Sequence, residues 1–284
     1  MIPDSETNFL FLADRLKAKK YSAFLARFEK VLMENDIPYE FLSNTKDIWA
    51  VDYMPVQIST DKFVQFEYNP DYLQSKTLHK TISDVDNICK SINVLPNKSK
   101  LIVDGGNVIR TTNKVIMCDK VFKENPNLSE KELIKQLRDT FEVEDLFFVP
   151  WDKSDFTGHA DGMVRFVDNN TVLINAYLEE SAEYQRCFRM ALHNAGLDWI
   201  EIPYNPYENK SLSNAEGVYL NFLQMKQAVI IPTFKQKEDD EAVRILEQVF
   251  KNQTILTVDS NEIAIEGGIL NCISWNIKTT ENGS

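Results

Sequence analysis

The sequence predicts a mixed α/β fold assembled from small repeated units, and not a doubly wound parallel sheet. Segments with strand character outnumber those with helical character by roughly two or three to one. Pairs of strands joined by short polar turns, at 111–113 and 168–170, alternate with single helices. A plain parallel βαβ protein has about one helix for each strand, so this pattern favours a unit of a few mixed strands plus one helix.

The elements follow from their apolar patterns in chain order. The apolar run 9–13 predicts a buried strand, and residues 21–35 carry apolar side chains at helical spacing, so a β-α unit opens the chain. Further helices are predicted at 76–92, 129–141, 181–195 and 238–250, and Ser129 with Glu132 has the pattern of a capping box. The remaining strands are predicted at 39–42, 63–68, 101–103, 108–110, 115–117, 146–149, 163–167, 172–175, 199–202, 218–222, 228–231, 254–257 and 269–273. No Pro-, Ser- or Gly-rich linker divides residues 1–284, so we expect a single domain with a frayed tail at 278–284.

Composition and charge exclude several functional classes. The 284 residues include 43 acidic and 31 basic side chains, a formal net charge of −12, which disfavours nucleic acid as a partner because phosphate binding depends on clustered Lys and Arg. No apolar run approaches the roughly 20 residues of a membrane span, and no signal peptide is recognisable. We therefore expect a soluble cytoplasmic protein that does not bind membranes.

The histidines and cysteines differ in their settings. His159 lies between two glycines in the segment 157–162, immediately before an apolar strand, where loop residues often carry catalytic groups. In an extended segment the side chains of His159 and Asp161 would point to the same face, although a turn-stabilising histidine with an Asx turn at Asp161 is the alternative. Cys272 follows the pair Gly267-Gly268 and is the best candidate for a nucleophile. The other cysteines, Cys89, Cys118 and Cys187, are expected to be buried and inert, and no Cys-x-x-Cys spacing indicates a disulfide or zinc site.

Acidic residues complete a candidate site. Asp104 follows a strand and precedes Gly105-Gly106-Asn107, and Asp52 lies close to Trp49. Any one of these acids is most often a cap or turn former. Together, several carboxylates, one Cys and one His in a glycine-lined pocket would suit a planar cation, because carboxylates bind guanidinium in a bidentate manner and a thiolate can attack its central carbon.

Four motifs in order resemble those of the guanidino-modifying (pentein) superfamily. They are the segments Asp47-Ile48-Trp49…Asp52…Pro55, Asp104-Gly105-Gly106-Asn107, Gly158-His159-Ala160-Asp161 and Gly267-Gly268…Cys272-Ile273-Ser274. The nearest branch is the family of agmatine deiminases and bacterial peptidylarginine deiminase-like proteins, with similarity over roughly residues 40–275 that includes weaker segments at 202–205 and 214–222. The resemblance implies an α/β propeller of about five mixed-strand-plus-helix units around a pseudo-fivefold axis.

The resemblance also implies roles for individual residues. Cys272 would be the nucleophile, His159 the general acid and base, and Asp104 and Asp161 the carboxylates that hold the guanidinium. Contacts with substrate are expected from Asp52, Trp49, Gly106, Asn107 and Gly268. Neither a metal nor an organic cofactor is expected, the implied partner is a small guanidino substrate such as agmatine, and a homodimer is left open.

The chain departs from the family pattern at two positions beside these motifs. Val51 stands where relatives usually carry Arg, and Asn271 stands where they usually carry His. Four readings remain open on the sequence: a deiminase for agmatine, free arginine or peptidyl arginine; an amidinotransferase; a guanidinium-binding protein without activity; and a Cys-His amide hydrolase, for which Gly267 and Gly268 would supply oxyanion donors.

Overall fold

The architecture is a ring of five small sheets, seen in a computed structural model that describes residues 1–207, 209–211 and 213–280. Within these residues each sheet has three strands, in the orders β15-β1-β2, β3-β4-β5, β6-β7-β8, β11-β10-β9 and β12-β13-β14. The strands are β1 Phe9–Ala13, β2 Tyr39–Leu42, β3 Val56–Ser59, β4 Lys62–Glu67, β5 Asn97–Ile102, β6 Ile109–Arg110, β7 Lys114–Cys118, β8 Asp145–Val149, β9 Val164–Phe166, β10 Thr171–Asn175, β11 Asp198–Ile202, β12 Leu223–Gln224, β13 Ala228–Thr233, β14 Thr254–Asp259 and β15 Ser274–Ile277.

Every sheet repeats one plan. Its central strand pairs antiparallel with one neighbour and parallel with the other, and the parallel connection runs through helix, as a parallel crossover requires. The helices are α1 Ser22–Glu34, α2 Ala50–Tyr53, α3 Val85–Ser91, α4 Lys120–Glu124, α5 Glu130–Phe141, α6 Ala182–Asn194, α7 Asp239–Val249 and α8 Asn261–Ala264. The predicted five-unit α/β propeller is therefore confirmed. The first sheet is completed by β15, which pairs antiparallel with β1 and closes the ring.

The capping box is present as predicted, and it fixes the start of α5. The Ser129 hydroxyl accepts a hydrogen bond from the Glu132 N–H, while the Glu132 carboxylate accepts one from the Ser129 N–H. The apolar face of α5, with Leu133, Leu137 and Phe141, then packs into the core of its unit.

Several predicted boundaries are wrong. The helix expected at 76–92 begins only at Val85, because the Asp84 side chain caps it and the preceding segment forms a 3-10 turn. Strand β3 was missed. The predicted strands at 218–222 and 269–273 are buried turns, and the true strands β12 and β15 follow them.

The tail and one cysteine also differ from expectation. Lys278 exchanges two hydrogen bonds with the Gln57 side chain, and Thr279 donates to Asn8, so the chain is tied down at these two residues; positions 281–284 lie outside the described residues. Cys89 and Cys118 are buried, but Cys187 is exposed on α6. No helix among the described residues is both long and apolar enough to cross a bilayer.

Three charged side chains, of which Arg165 is fully buried, form a cluster near the start of the chain. The Nη2 of Arg110 lies 2.9 Å from Oδ1 of Asp4, and the Nη2 of Arg165 lies 2.9 Å from Oδ2 of the same carboxylate. The Arg110 Nε also donates to the Ile2 carbonyl (2.7 Å), and Arg165 donates to the carbonyl of Phe222 (2.9 Å) and stacks on its ring. This cluster, Asp4–Arg110–Arg165, joins the first, third, fourth and fifth units.

Candidate active site

One residue from each unit of the ring lies just before a strand and near the centre. These are Asp52 before β3, Asp104 before β6, Asp161 before β9, Asn221 before β12 and Cys272 before β15. All five are buried, although four of them, with His159, contribute to the wall of a cavity of about 670 Å³. The repetition of the unit therefore brings together residues that are far apart in the chain.

His159 is held between two carboxylates. Its Nε2 lies 2.9 Å from Oδ2 of Asp104, and its Nδ1 lies 3.4 Å from Oδ1 of Asp52. Burial by itself would lower the pKa of His159, but the charges of Asp52, Asp104 and Asp161 outweigh it and raise the pKa to about 10. The imidazole is consequently held in its cationic form at neutral pH, with a proton that it can transfer to a sufficiently basic nitrogen.

Cys272 lies beside the other carboxylate of the cavity. Its Sγ is 3.4 Å from Oδ2 of Asp161, which also accepts a hydrogen bond from the Asn271 side chain (2.8 Å), and it is 3.2 Å from Nδ2 of Asn221. Burial, followed by the charges of Asp161 and Asp52, raises the pKa of the Cys272 thiol well above its ordinary value. This shift favours the neutral thiol at neutral pH.

The carboxylates occupy two layers, which changes the role expected of Asp104. Asp52 and Asp161 line the cavity, whereas Oδ2 of Asp104 lies behind His159 and accepts a hydrogen bond from the Tyr72 hydroxyl (2.9 Å). Because Asp104 faces the imidazole, these contacts favour a role in positioning His159 over the expected role of holding the ligand alongside Asp161. Burial raises the pKa of the Asp52 carboxyl well above its ordinary value, so a positive charge beside it would stabilise the ionised form.

Glycine is required at two positions where the backbone passes close to the side chains of the cavity. A Cβ on Gly268 would lie 2.6 Å from the Trp49 ring and 2.8 Å from Sγ of Cys272, and one on Gly106 would lie 2.6 Å from the Asp52 carboxylate. Trp49 and Gly268 line the cavity as predicted contacts, and Gly106 supports Asp52 by donating its N–H to that carboxylate (3.1 Å).

Asn107, predicted as a contact to substrate, is instead engaged with the backbone. Its amide oxygen accepts from the Cys118 N–H (2.6 Å), and its amide nitrogen donates to the Cys118 carbonyl (3.3 Å). The residue ties the Gly105–Asn107 turn to β7.

Sequence reasoning missed Tyr72 and gave no role to Asn221. Tyr72 lies in a single 3-10 turn, Asp71–Leu73, and nothing in its surroundings in the sequence indicates the bond to Asp104. For Asn221 a signal existed, since it holds the same place before a first strand as Asp52, Asp161 and Cys272 do in their units. The spacing of His159 and Asp161 placed both on the cavity, although the backbone there is a 3-10 turn over Ala160–Gly162 and not an extended strand.

Comparison with known proteins gives consistent matches. The profile of the Porphyromonas-type peptidyl-arginine deiminase family matches residues 5–277. The agmatine deiminase of Pseudomonas aeruginosa (strain LESB58) is 26% identical over 204 residues, which cover 61% of this chain and 54%, about half, of that enzyme. The structure of C. jejuni agmatine deiminase has a TM-score of 0.79 at 22% identity and covers 99% of this chain and 96% of that one; a Cys-to-Ser variant of it with substrate bound gives the same TM-score at 21% identity and the same coverage.

Proposed function

We propose, from the premise that this chain belongs to the Porphyromonas-type peptidyl-arginine deiminase family, that it is a cysteine-dependent deiminase whose substrate is agmatine. The observation that carries the proposal is the placement of the Cys272 sulfur on a cavity wall shared with Asp52, Asp161 and the cationic imidazole of His159. Relatives and structural neighbours that bear the name agmatine deiminase support the choice of substrate.

The cavity wall selects for a planar cation. Asp52 and Asp161 present carboxylates toward the same space, and a guanidinium group carries N–H donors on its edges that match carboxylate oxygens. A bound guanidinium would also offset the negative charge that opposes ionisation of Cys272. Substrate binding and formation of the thiolate are therefore coupled: the thiol proton passes to solvent as the cation binds, and the nucleophile becomes reactive when that cation is in place.

The first half-reaction forms the covalent intermediate. The Cys272 thiolate attacks the central guanidinium carbon, a C–S bond forms, and the electrons of the C=N bond move to nitrogen to give a tetrahedral adduct. His159 then gives its proton to the departing nitrogen, the C–N bond breaks, and ammonia leaves. The remaining carbon is held on Sγ as a thiouronium ion, which the carboxylates of Asp52 and Asp161 stabilise.

The second half-reaction restores the enzyme. The now neutral His159 takes a proton from water, the oxygen attacks the thiouronium carbon, and collapse of this adduct breaks the C–S bond. The hydroxyl proton of the adduct passes to the departing sulfur, so the products are a substituted urea and the Cys272 thiol, and one water is consumed for each ammonia released. Asp104, fixed by Tyr72, holds the imidazole in place through both proton transfers.

Ammonia release from a substrate panel tests the proposal. We expect turnover of agmatine in preference to free arginine, methylated arginines and an arginine peptide, complete loss in Cys272→Ala, and full activity in Cys187→Ala, whose cysteine is exposed on α6. Preference for another guanidine would change the substrate but keep the reaction class. Absence of ammonia release from every member of the panel would overturn the proposal, and transfer of the amidino group to an added amine would identify an amidinotransferase.

A further inference from the structure

The side chain of Asn221 is hydrogen-bonded to residues 269–272, the turn that carries Cys272 and that we call the nucleophile turn. Its amide oxygen accepts hydrogen bonds from the backbone N–H groups of Ile269 (3.2 Å), Asn271 (3.2 Å) and Cys272 (3.3 Å). Its backbone carbonyl accepts a further bond from the Asn271 N–H (3.1 Å). The turn that presents Cys272 is thus gathered around one buried side chain.

These contacts fix which way the amide points. An amide nitrogen in place of Oδ1 would set N–H donors against three backbone N–H donors, so the oxygen must face the turn. Nδ2 is therefore directed at Sγ of Cys272, 3.2 Å away. We propose that Asn221 is a catalytic residue, which holds the nucleophile turn through Oδ1 and donates a hydrogen bond through Nδ2 to the attacking sulfur.

The value of this donor changes when the sulfur ionises. In the thiol, Cys272 donates its hydrogen toward Oδ2 of Asp161 and accepts from Asn221. Once the proton has left, the Asp161 carboxylate faces a thiolate and repels it, whereas the bond from Asn221 becomes charge-assisted and stronger. Asn221 therefore favours the ionised sulfur in a cavity whose carboxylates oppose it.

The support behind Asn221 is rigid. The carbonyls of its two neighbours, Leu220 and Phe222, accept hydrogen bonds from the buried guanidinium of Arg165, at 3.4 and 2.9 Å. Arg165 is in turn fixed by Asp4 and by the Phe222 ring. The backbone at Asn221 consequently cannot drift away from the sulfur without breaking bonds to a buried cation.

The inference rests on the proposed function, but its test measures the ionisation of Cys272 without substrate. The inference and the proposed function can therefore fail separately. In a Cys187→Ser background, the rate of iodoacetamide alkylation at Cys272, located by peptide mass spectrometry, is measured against pH. We expect Asn221→Ala to move the midpoint upward by at least about one pH unit, because a hydrogen bond to a charged group is lost. Asn221→Asp keeps an oxygen for the turn, offers the sulfur no hydrogen in the alkaline range of this titration and adds a negative charge beside it, so an upward shift at least as large is expected.

A matched control separates this effect from loss of a structural amide. Asn125 is also buried and makes three bonds with backbone groups, to Ile102 and Val121, away from the cavity. Asn125→Ala should lower thermal stability and leave the midpoint unmoved. Midpoints within about 0.3 pH unit of wild type in folded Asn221 variants would overturn the proposal.

A measurement on the unaltered side chain covers the case in which the variants do not fold. The side-chain amide resonances of Asn221 should shift with pH at the alkylation midpoint of Cys272, and this step should vanish in Cys272→Ala. Absence of the step in the wild-type protein would overturn the inference. If Cys272 ionises as expected while the substrate panel gives no ammonia, the proposed function fails and the role of Asn221 stands.

Discussion

Around Cys272 three buried carboxylates surround one imidazole, whereas around Asp4 two guanidinium groups, the buried one of Arg165 and the partly buried one of Arg110, share one carboxylate. In the Asp4–Arg110–Arg165 cluster further guanidinium N–H groups donate to the backbone carbonyls of Ile2 and Phe222, so that both cations are held by groups of the chain itself. In the active site the carboxylates outnumber the cation, and one oxygen of Asp104 has no hydrogen-bond partner among the described residues. A buried cluster that is complete within the chain supports the fold, while one that is short of a cation is suited to bind one.

The sharpest test of this comparison removes one of the uncompensated carboxylates. Asp161→Asn should lower kcat/KM for agmatine by about 10²–10³-fold, because truncating one partner of a buried charge pair costs roughly 2–5 kcal/mol. The melting temperature should stay level or rise, since mutual repulsion of the carboxylates is relieved. Steady-state ammonia release and thermal unfolding check both effects, with Asp168→Asn in the exposed β9–β10 turn as the control. Unchanged kcat/KM in the Asp161 variant would remove this residue from the site.

The opposite result is expected at the Asp4–Arg110–Arg165 cluster. Asp4→Asn leaves the guanidinium of Arg165, only 2% exposed, without its carboxylate. We expect a loss of about 3 kcal/mol in the free energy of unfolding, measured by urea denaturation, with less than a tenfold change in activity per folded molecule. Asp86→Asn, which breaks an exposed pair with Lys98, should cost less than about 1 kcal/mol. Equal losses in the two variants would contradict the structural role of the cluster.

A smaller effect is expected from Asp47, on the wall of the cavity. Burial raises the pKa of this carboxyl from 3.8 to about 7, against the lowering effect of the Trp49 N–H. Because the folded pKa lies above the unfolded one, the contribution of this group to stability is full below about pH 4 and is lost as the pH rises through 7.

The neutral variant Asp47→Asn keeps an oxygen for the Trp49 N–H and removes this pH dependence. We expect it to be more stable than the wild type by about 1–2 kcal/mol at pH 8, with the difference vanishing near pH 4. Chemical denaturation at both pH values gives the measurement, and the exposed Asp198→Asn should follow the wild-type curve. A constant difference across this range would mean that the charge of Asp47 carries no penalty.

Local pattern predicted most of the fold, and its failures at 218–222 and 269–273 have one physical cause. Both runs are apolar enough for buried strands, yet their backbone groups bond to side chains from other units. Arg165 takes the carbonyls of Leu220 and Phe222, and Asn221 takes three N–H groups of the nucleophile turn. No local pattern contains these distant partners, so a strand was the natural prediction at both places.

The candidate site likewise has residues that the sequence predicted and an arrangement that it did not. Glycine neighbours were sufficient to single out His159, Asp161 and Cys272, because close backbone approach leaves a trace in the sequence. The position of Asp104 behind the imidazole left none, since it depends on which carboxylate lies on the cavity side of His159 and which on the far side. That depth is set by the turn Gly105–Asn107 and by Tyr72, and appears only when the five units are assembled.

Because β1 pairs with β15, the candidate active site can be completed only late in synthesis of the chain on the ribosome. Among the strands of the described residues, β1 is the first to emerge and its antiparallel partner β15 is the last, and Cys272 comes just ahead of β15. Contacts between residues so distant along the chain form late. The thiol is therefore aligned in the same event that closes the ring, and a nascent chain without β15 presents carboxylates and imidazole with no nucleophile between them.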